Sequence, residues 1–223
     1  MILVKICGIT NWTDAKAACD AGANMLGFNF YDRSLRRIPT AEAAQIRRNL
    51  TAEVEIIGVF VNAKPAEITS VHSLLRFHAV QLHGDETPAD VSEVARVVPV
   101  IKAFRVAADF PLATFEKYHE ARAFLLDGAR ADHFGGSGTR ADWTVASRAR
   151  ASHRIILAGG LTPENVGVAI RVVRPFAVDV ASGVESKPGK KDHGKLKEFI
   201  DEVRRAEKEF EGPAAEQKVQ PSA

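Results

Sequence analysis

Residues 154–183 read RIILAGGLTPENVGVAIRVVRPFAVDVASG, and this order predicts strand, glycine turn, helix, strand. Arg154–Ala158 and Phe176–Val180 are short, nearly unbroken apolar runs, as expected of parallel strands buried on both faces. Between them, Thr162-Pro163-Glu164 opens a helix over Pro163–Val173, with proline where its missing N–H costs little. Each strand runs out into glycine: Gly159-Gly160 after the first, Ser182-Gly183 after the second.

Working outward, the same unit recurs along the chain. Further strands are predicted at Leu3–Ile6, Met25–Phe30, Val54–Val61, Ala79–Leu82, Val98–Phe104 and Ala123–Leu126. Helices are predicted at Trp12–Ala21 (capped by Asn11 or Thr13), Ala41–Leu50, Pro65–Leu75, Pro88–Val97, Asp142–Ala149 and Asp192–Glu209; Asp109–His119 is the weakest helical segment. Eight strands alternating with about eight helices predict a single-domain (βα)8 barrel of the TIM type over residues 1–210, and its usual length of roughly 250 residues fits. The rival, a doubly wound open sheet, lacks its GxGxxG signature after the first strand. Residues 211–223, with almost no large apolar side chain, read as a disordered tail.

Thirty basic and 28 acidic side chains leave a formal charge of only +2, which gives no reason to expect nucleic acid or an anionic membrane as partner. No run approaches the roughly 20 apolar residues of a membrane span. Two cysteines, Cys7 and Cys19, and no secretory leader predict reduced thiols and a cytoplasmic location.

In a barrel of this kind, chemistry belongs at the C-terminal ends of the strands. There the sequence places Cys7-Gly8, His83-Gly84, Asp127-Gly128, Gly159-Gly160 and Asp179-Val180-Ala181-Ser182-Gly183. Polar or reactive groups thus leave apolar runs beside glycine at several strand ends in phase. Taken singly, each has a plainer reading. Cys7 reads as a small buried hydrophobe, Asp127 as a turn former and His83 as a structural histidine. Cys19, inside a helix, reads as packing. Gly159, Gly160, Ser182 and Gly183 stand in the two loops that form the recurrent phosphate site of such barrels, where backbone N–H groups face an anion. Lys187, Lys190 and Lys191 come later and are expected to add only a long-range field. Gly135–Thr139 suits either a lid or a phosphate contact. Arg33, Arg36 and Arg37 follow the second strand and read either as a solvated loop or as a fork for a carboxylate. No Cys/His cluster has metal-ligand spacing and no GxSxG elbow is present, so neither a zinc site nor a serine hydrolase is supported.

Together these junctions resemble the phosphoribosylanthranilate isomerase family. The motifs are VKICGIT (4–10), Gly27-Phe28 with Ser34-Leu35-Arg36, GVFVN (58–62), VQLHG (80–84), Leu126-Asp127, Gly136-Ser137-Gly138, Asp142-Trp143, LAGGLTPENV (157–166), VDVASGVE (178–185) and GKKD (189–192). They run in order over about residues 3–200. The chain departs from the family's habit at Leu35, for proline; at Ala141, for phenylalanine; and at Ala181, for serine. The resemblance implies an Amadori rearrangement of a phosphorylated aminoaldose in tryptophan biosynthesis, with no cofactor and a monomer or homodimer. It implies Cys7 as general base and Asp127 as general acid. It implies further that Arg36, His83 and Asp179 contact substrate, Arg36 at the anthranilate carboxylate. A free thiol is mostly protonated at neutral pH and a free aspartate mostly ionised, so both groups need an altered environment or act through minor forms. Partial burial would act on Asp127, and a neighbouring positive charge on Cys7. Two neighbouring readings are a histidine-pathway aminoaldose isomerase, which has aspartate at the position of Cys7, and a pentose-phosphate epimerase, which calls for metal ligands. A non-catalytic sugar-phosphate binder is a third.

Overall fold

The alternation of buried apolar runs with capped amphipathic segments closes into a barrel. The computed structural model describes residues 1–50, 53–128 and 143–210. The tail at 211–223, the segment Gly135–Thr139, Ala141 and Asp142 lie outside these residues. In chain order the elements are β1 (Leu3–Cys7), α1 (Trp12–Asp20), β2 (Met25–Asn29), α2 (Thr40–Asn49), β3 (Glu55–Phe60), α3 (Pro65–Leu75), β4 (Ala79–Leu82) and α4 (Pro88–Ala95). They continue with β5 (Val100–Val106), a 3-10 helix (Leu112–Tyr118), β6 (Ala123–Gly128), α5 (Trp143–Ala149), β7 (Ile155–Leu157), α6 (Pro163–Val173) and β8 (Ala177–Val180). A 3-10 turn (Ser182–Val184), a hairpin of β9 (Glu185–Lys187) and β10 (Lys190–Lys191), and α7 (His193–Lys208) complete the chain. Strands β1 to β8 are all parallel and close on themselves, β8 pairing back with β1.

Local chemistry explains the boundaries. Asn11, not Thr13, caps α1 by accepting from the Asp14 N–H. Thr87 and Asp90 form a reciprocal capping box on α4, and on α6 the Thr162 N–H donates to Asn165 Oδ1 at 3.0 Å. Asp192 caps α7 through the N–H groups of Gly194 and Lys195. The weak segment Asp109–His119 is 3-10 rather than α. Leu112, Phe115 and Tyr118 recur every third residue, and a helix with three residues per turn stacks all three toward the core. Phe115 there packs on Phe104 and Phe124.

Alternation along the strands builds two apolar regions. Met25, Ile57, Ala79, Ile101, Ala123, Leu125, Ile156 and Ala177 fill the barrel lumen, with Leu3 against them. The opposite faces, such as Val4, Ile6, Val80 and Leu126, pack against the helices. Two residues further along each strand, the lumen-facing positions are Lys5 and then Cys7 on β1, Gln81 on β4, Asp127 on β6 and Asp179 on β8. The period of two thus carries the chain from a hydrophobic floor to a polar mouth.

Candidate active site

The mouth is a cleft of about 670 Å³, counting its open end. Cys7, Arg36, His83, Asp127, Gly159, Gly160, Asp179 and Ser182 all line it. Eight of the nine sequence-predicted site residues therefore converge on one place. Gly183 does not line the cleft. A Cβ at Gly183 would stand 1.9 Å from the Leu161 carbonyl oxygen, so this glycine lets the loops after β7 and β8 touch. Gly159 and Gly160 adopt φ values of 81° and 64°, the left-handed region that favours glycine, and so turn the chain sharply at the end of β7.

Cys7 ends β1 and is buried. Burial pushes its thiol above the ordinary range, while the Lys5 ammonium pulls it back, Asp179 pushes it up again and Lys191 pulls it down. The positive neighbour expected from sequence is present, but burial outweighs it. Cys19 is also a free thiol, half-buried against the core.

Asp127 lies near the end of β6. Its Oδ1 accepts from the Gly128 N–H at 2.8 Å, and its Oδ2 is 3.3 Å from His83 Nε2. The other His83 nitrogen, Nδ1, is 2.6 Å from Nε2 of the fully buried Gln81. His83 is thus held from behind by β4 and faces the carboxyl group as well as the cleft.

The arginines separate. Arg37 pairs with Asp32 at the surface, and Arg33 is exposed. Arg36 turns inward: its backbone N–H donates to Ser34 Oγ, and its guanidinium donates to Glu185. Leu35, where the family's proline would stand, is 77% exposed, so that departure sits at the surface. Lys191 corrects the sequence reading. It is no distant source of field but a buried group whose Nζ donates to the Cys7 carbonyl at 2.6 Å, the Ala181 carbonyl at 3.2 Å and Glu185 at 3.0 Å. Burial pulls this ammonium below its ordinary range, against the attraction of Glu185. The turn of the β9–β10 hairpin, with Gly189 at φ 77°, returns the chain so that Lys191 reaches β1.

Sequence reasoning passed over Lys5, Gln81 and Lys191 as functional groups. The first two carry a signal: each lies two residues before a site residue, on the same strand face. Lys191 carries none, because a hairpin brings it in. Among the described residues no group of His, Cys, Asp and Glu could hold a metal, and no helix is long and apolar enough to cross a membrane.

Comparison with known proteins gives one consistent result. A family model described as N-(5'phosphoribosyl)anthranilate (PRA) isomerase matches residues 4–202. The N-(5'-phosphoribosyl)anthranilate isomerase of Trichlorobacter lovleyi is 47% identical over 207 residues, 92% of this chain and 100% of the relative. That of Geobacter sulfurreducens is 46% identical over 200 residues, 90% of this chain and 97% of the relative. The crystal structure of phosphoribosyl anthranilate isomerase from Thermotoga maritima superposes with a TM-score of 0.86 at 43% identity, covering 92% of this chain and 100% of that one. A structure of such an isomerase in complex with reduced 1-(o-carboxyphenylamino)-1-deoxyribulose 5-phosphate gives 0.83 at 42% identity, with the same coverage.

Proposed function

The chain belongs to the N-(5'-phosphoribosyl)anthranilate isomerase family, and on that premise we propose that Cys7 and Asp127 carry out its reaction as general base and general acid. The reaction is the Amadori rearrangement of N-(5-phosphoribosyl)anthranilate to 1-(2-carboxyphenylamino)-1-deoxyribulose 5-phosphate in tryptophan biosynthesis. The observation that carries the assignment is that a buried thiol on β1 and a carboxyl group on β6 open into one cleft with the two glycine loops.

Asp127 donates a proton to the furanose ring oxygen as the C1–O bond breaks and the nitrogen lone pair forms the C1 imine. The cationic imine makes the C2 proton acidic. The Cys7 thiolate takes that proton, and the C2–H electron pair moves to make the enolamine. The 2-hydroxyl then loses its proton as C1 gains one, leaving the ketone. Proton transfers suffice, each of a kind worth typically 10²–10⁴-fold in rate. Backbone amides around Gly160 and Ser182-Gly183 hold the phosphate, Arg36 the anthranilate carboxylate, and His83 and Asp179 the sugar between them.

The enzyme works in the cytoplasm on a small phosphorylated substrate, as a monomer or homodimer; a Thermotoga maritima relative is described as dimeric. The test is direct turnover of phosphoribosylanthranilate followed by anthranilate fluorescence. Absence of turnover by the folded chain would refute the assignment.

A further inference from the structure

Lys5 is fully buried in the middle of β1, where a charge is costly unless paired. Alternation puts Leu3, Lys5 and Cys7 on the lumen side, so Lys5 lies between the apolar floor and the reactive sulfur. Its Nζ is 2.7 Å from Asp179 Oδ1, across the β1–β8 register that pairs these two residues. On the other side, Gly27 of β2 is in register with Cys7. A Cβ on Gly27 would stand 2.9 Å from Cys7 Sγ and 3.1 Å from Lys5 Nζ. Sulfur and ammonium therefore close on the same gap, which exists because β2 carries no side chain there.

We propose that Lys5 is a positioning residue for the isomerisation: anchored by Asp179 and admitted by Gly27, its ammonium sets what fraction of the Cys7 sulfur is thiolate. This rests on Cys7 being the base. In turnover the thiolate takes the C2 proton and becomes a thiol, while Lys5 keeps its own protons and remains balanced by Asp179. The other charged groups around Cys7 do not supply the same support. Lys191, from β10, is committed to Glu185 and to two carbonyls, one of them Cys7's own. Arg36, from the loop after β2, is committed to Glu185, from β9. Asp127 and His83 face each other at the ends of β6 and β4. Electrostatics agree with the geometry. Burial pulls the Lys5 ammonium down, but Asp179 and Cys7 outweigh it and hold Lys5 above its ordinary range, whereas Lys191 is held below.

The test titrates Cys7 in the resting Cys19→Ala protein, by iodoacetamide alkylation rate and thiolate ultraviolet absorbance against pH. Lys5→Met should move the thiol's midpoint upward and cut thiolate at a fixed pH below it by about tenfold or more, the effect of removing one close opposite charge. Asp179→Asn should move the midpoint downward, because a negative neighbour goes and the ammonium is released toward sulfur. A packing role alone shifts both variants the same way or neither, and either result overturns the proposal. If Lys5→Met does not fold, Lys5→Met/Asp179→Asn removes the pair without leaving a buried charge. Its midpoint must then lie above that of Asp179→Asn; an equal value overturns the proposal. In activity, Lys5→Met should lower kcat and displace its pH profile to the alkaline side, with KM nearly unchanged. Normal turnover by Cys7→Ala would remove the base assignment instead, and leaves the titration to be judged by itself.

Discussion

Arg36 and Glu185 meet at two points, Nε 2.9 Å from Oε1 and Nη2 2.8 Å from Oε2. The pair ties the loop after β2 to the start of β9, and Oε1 also accepts from Lys191 Nζ at 3.0 Å. A guanidinium carries five N–H donors in a rigid fork. Glu185 therefore fixes the fork, and in the proposed reading its other donors meet a ligand of the cleft.

Arg36→Ala should weaken substrate bearing the anthranilate carboxylate by roughly 10–100-fold, the loss of a charge-assisted hydrogen bond of about 1.5–3 kcal/mol. A decarboxylated analogue should lose far less. KM measured for both compounds checks this, and equal losses would give Arg36 another role.

Cys7→Ala and Asp127→Asn should each lower kcat by roughly 10²–10⁴-fold while the thermal melt stays cooperative. Cys19→Ala should change neither. Turnover close to wild type in either of the first two variants removes that residue from its assigned role.

Gly183→Ala should impair phosphate binding, because the added methyl meets the Leu161 carbonyl, 1.9 Å from its Cβ, and parts the two phosphate loops. KM should rise and inhibition by inorganic phosphate should weaken. Lys187→Ala, an exposed change, should alter only the salt dependence. A phosphate-soaked crystal should carry the ion near the amides of Gly160 and Gly183, and an ion found against the lysines alone would contradict the assignment.

Asp14 gives a pH-dependent contribution to stability. It accepts from the Lys191 N–H at 2.9 Å and from Asn11 at 2.8 Å, and lies 2.8 Å from His193 Nε2. Burial pushes its carboxyl up, but these hydrogen bonds outweigh that and hold it below the usual aspartate range. The folded state then binds this proton less tightly than the unfolded chain. The stabilisation is present above the unfolded value and is lost as pH falls through the folded one. Asp14→Asn should melt lower than wild type at neutral pH, and the gap should narrow as pH falls below about 4. A gap that stays constant with pH would rule this out.

Turnover should survive exhaustive dialysis against chelator, since the proposed steps move only protons. Activity that disappears and returns with zinc or magnesium would count against the acid–base scheme.

The barrel was legible because its determinants are local. Apolar runs of strand length, Pro163 and Pro88 at helix starts, and glycines just past strand ends depend on no distant contact. Boundaries slipped where neighbours intervene: β5 is Val100–Val106 rather than Val98–Phe104, and the segment around Phe115 took the 3-10 period because its apolar residues recur every three.

The chain by itself determined which groups reach the mouth, since fixed alternation along parallel strands delivers Cys7, His83, Asp127 and Asp179 to one end of the barrel. Tertiary structure alone decided what those groups touch. Asp179 was expected at the substrate and also anchors Lys5. Gly183 was expected to present its amide to phosphate, and its missing side chain also lets two loops meet. Lys191 was expected to act at a distance, yet the hairpin turn buries it on Cys7's carbonyl. The physical reason is that hydrophobic period is a property of neighbours in sequence, whereas the charge state of a thiol depends on which ammonium and carboxylate groups the closed barrel and its returning hairpin bring within a few ångströms.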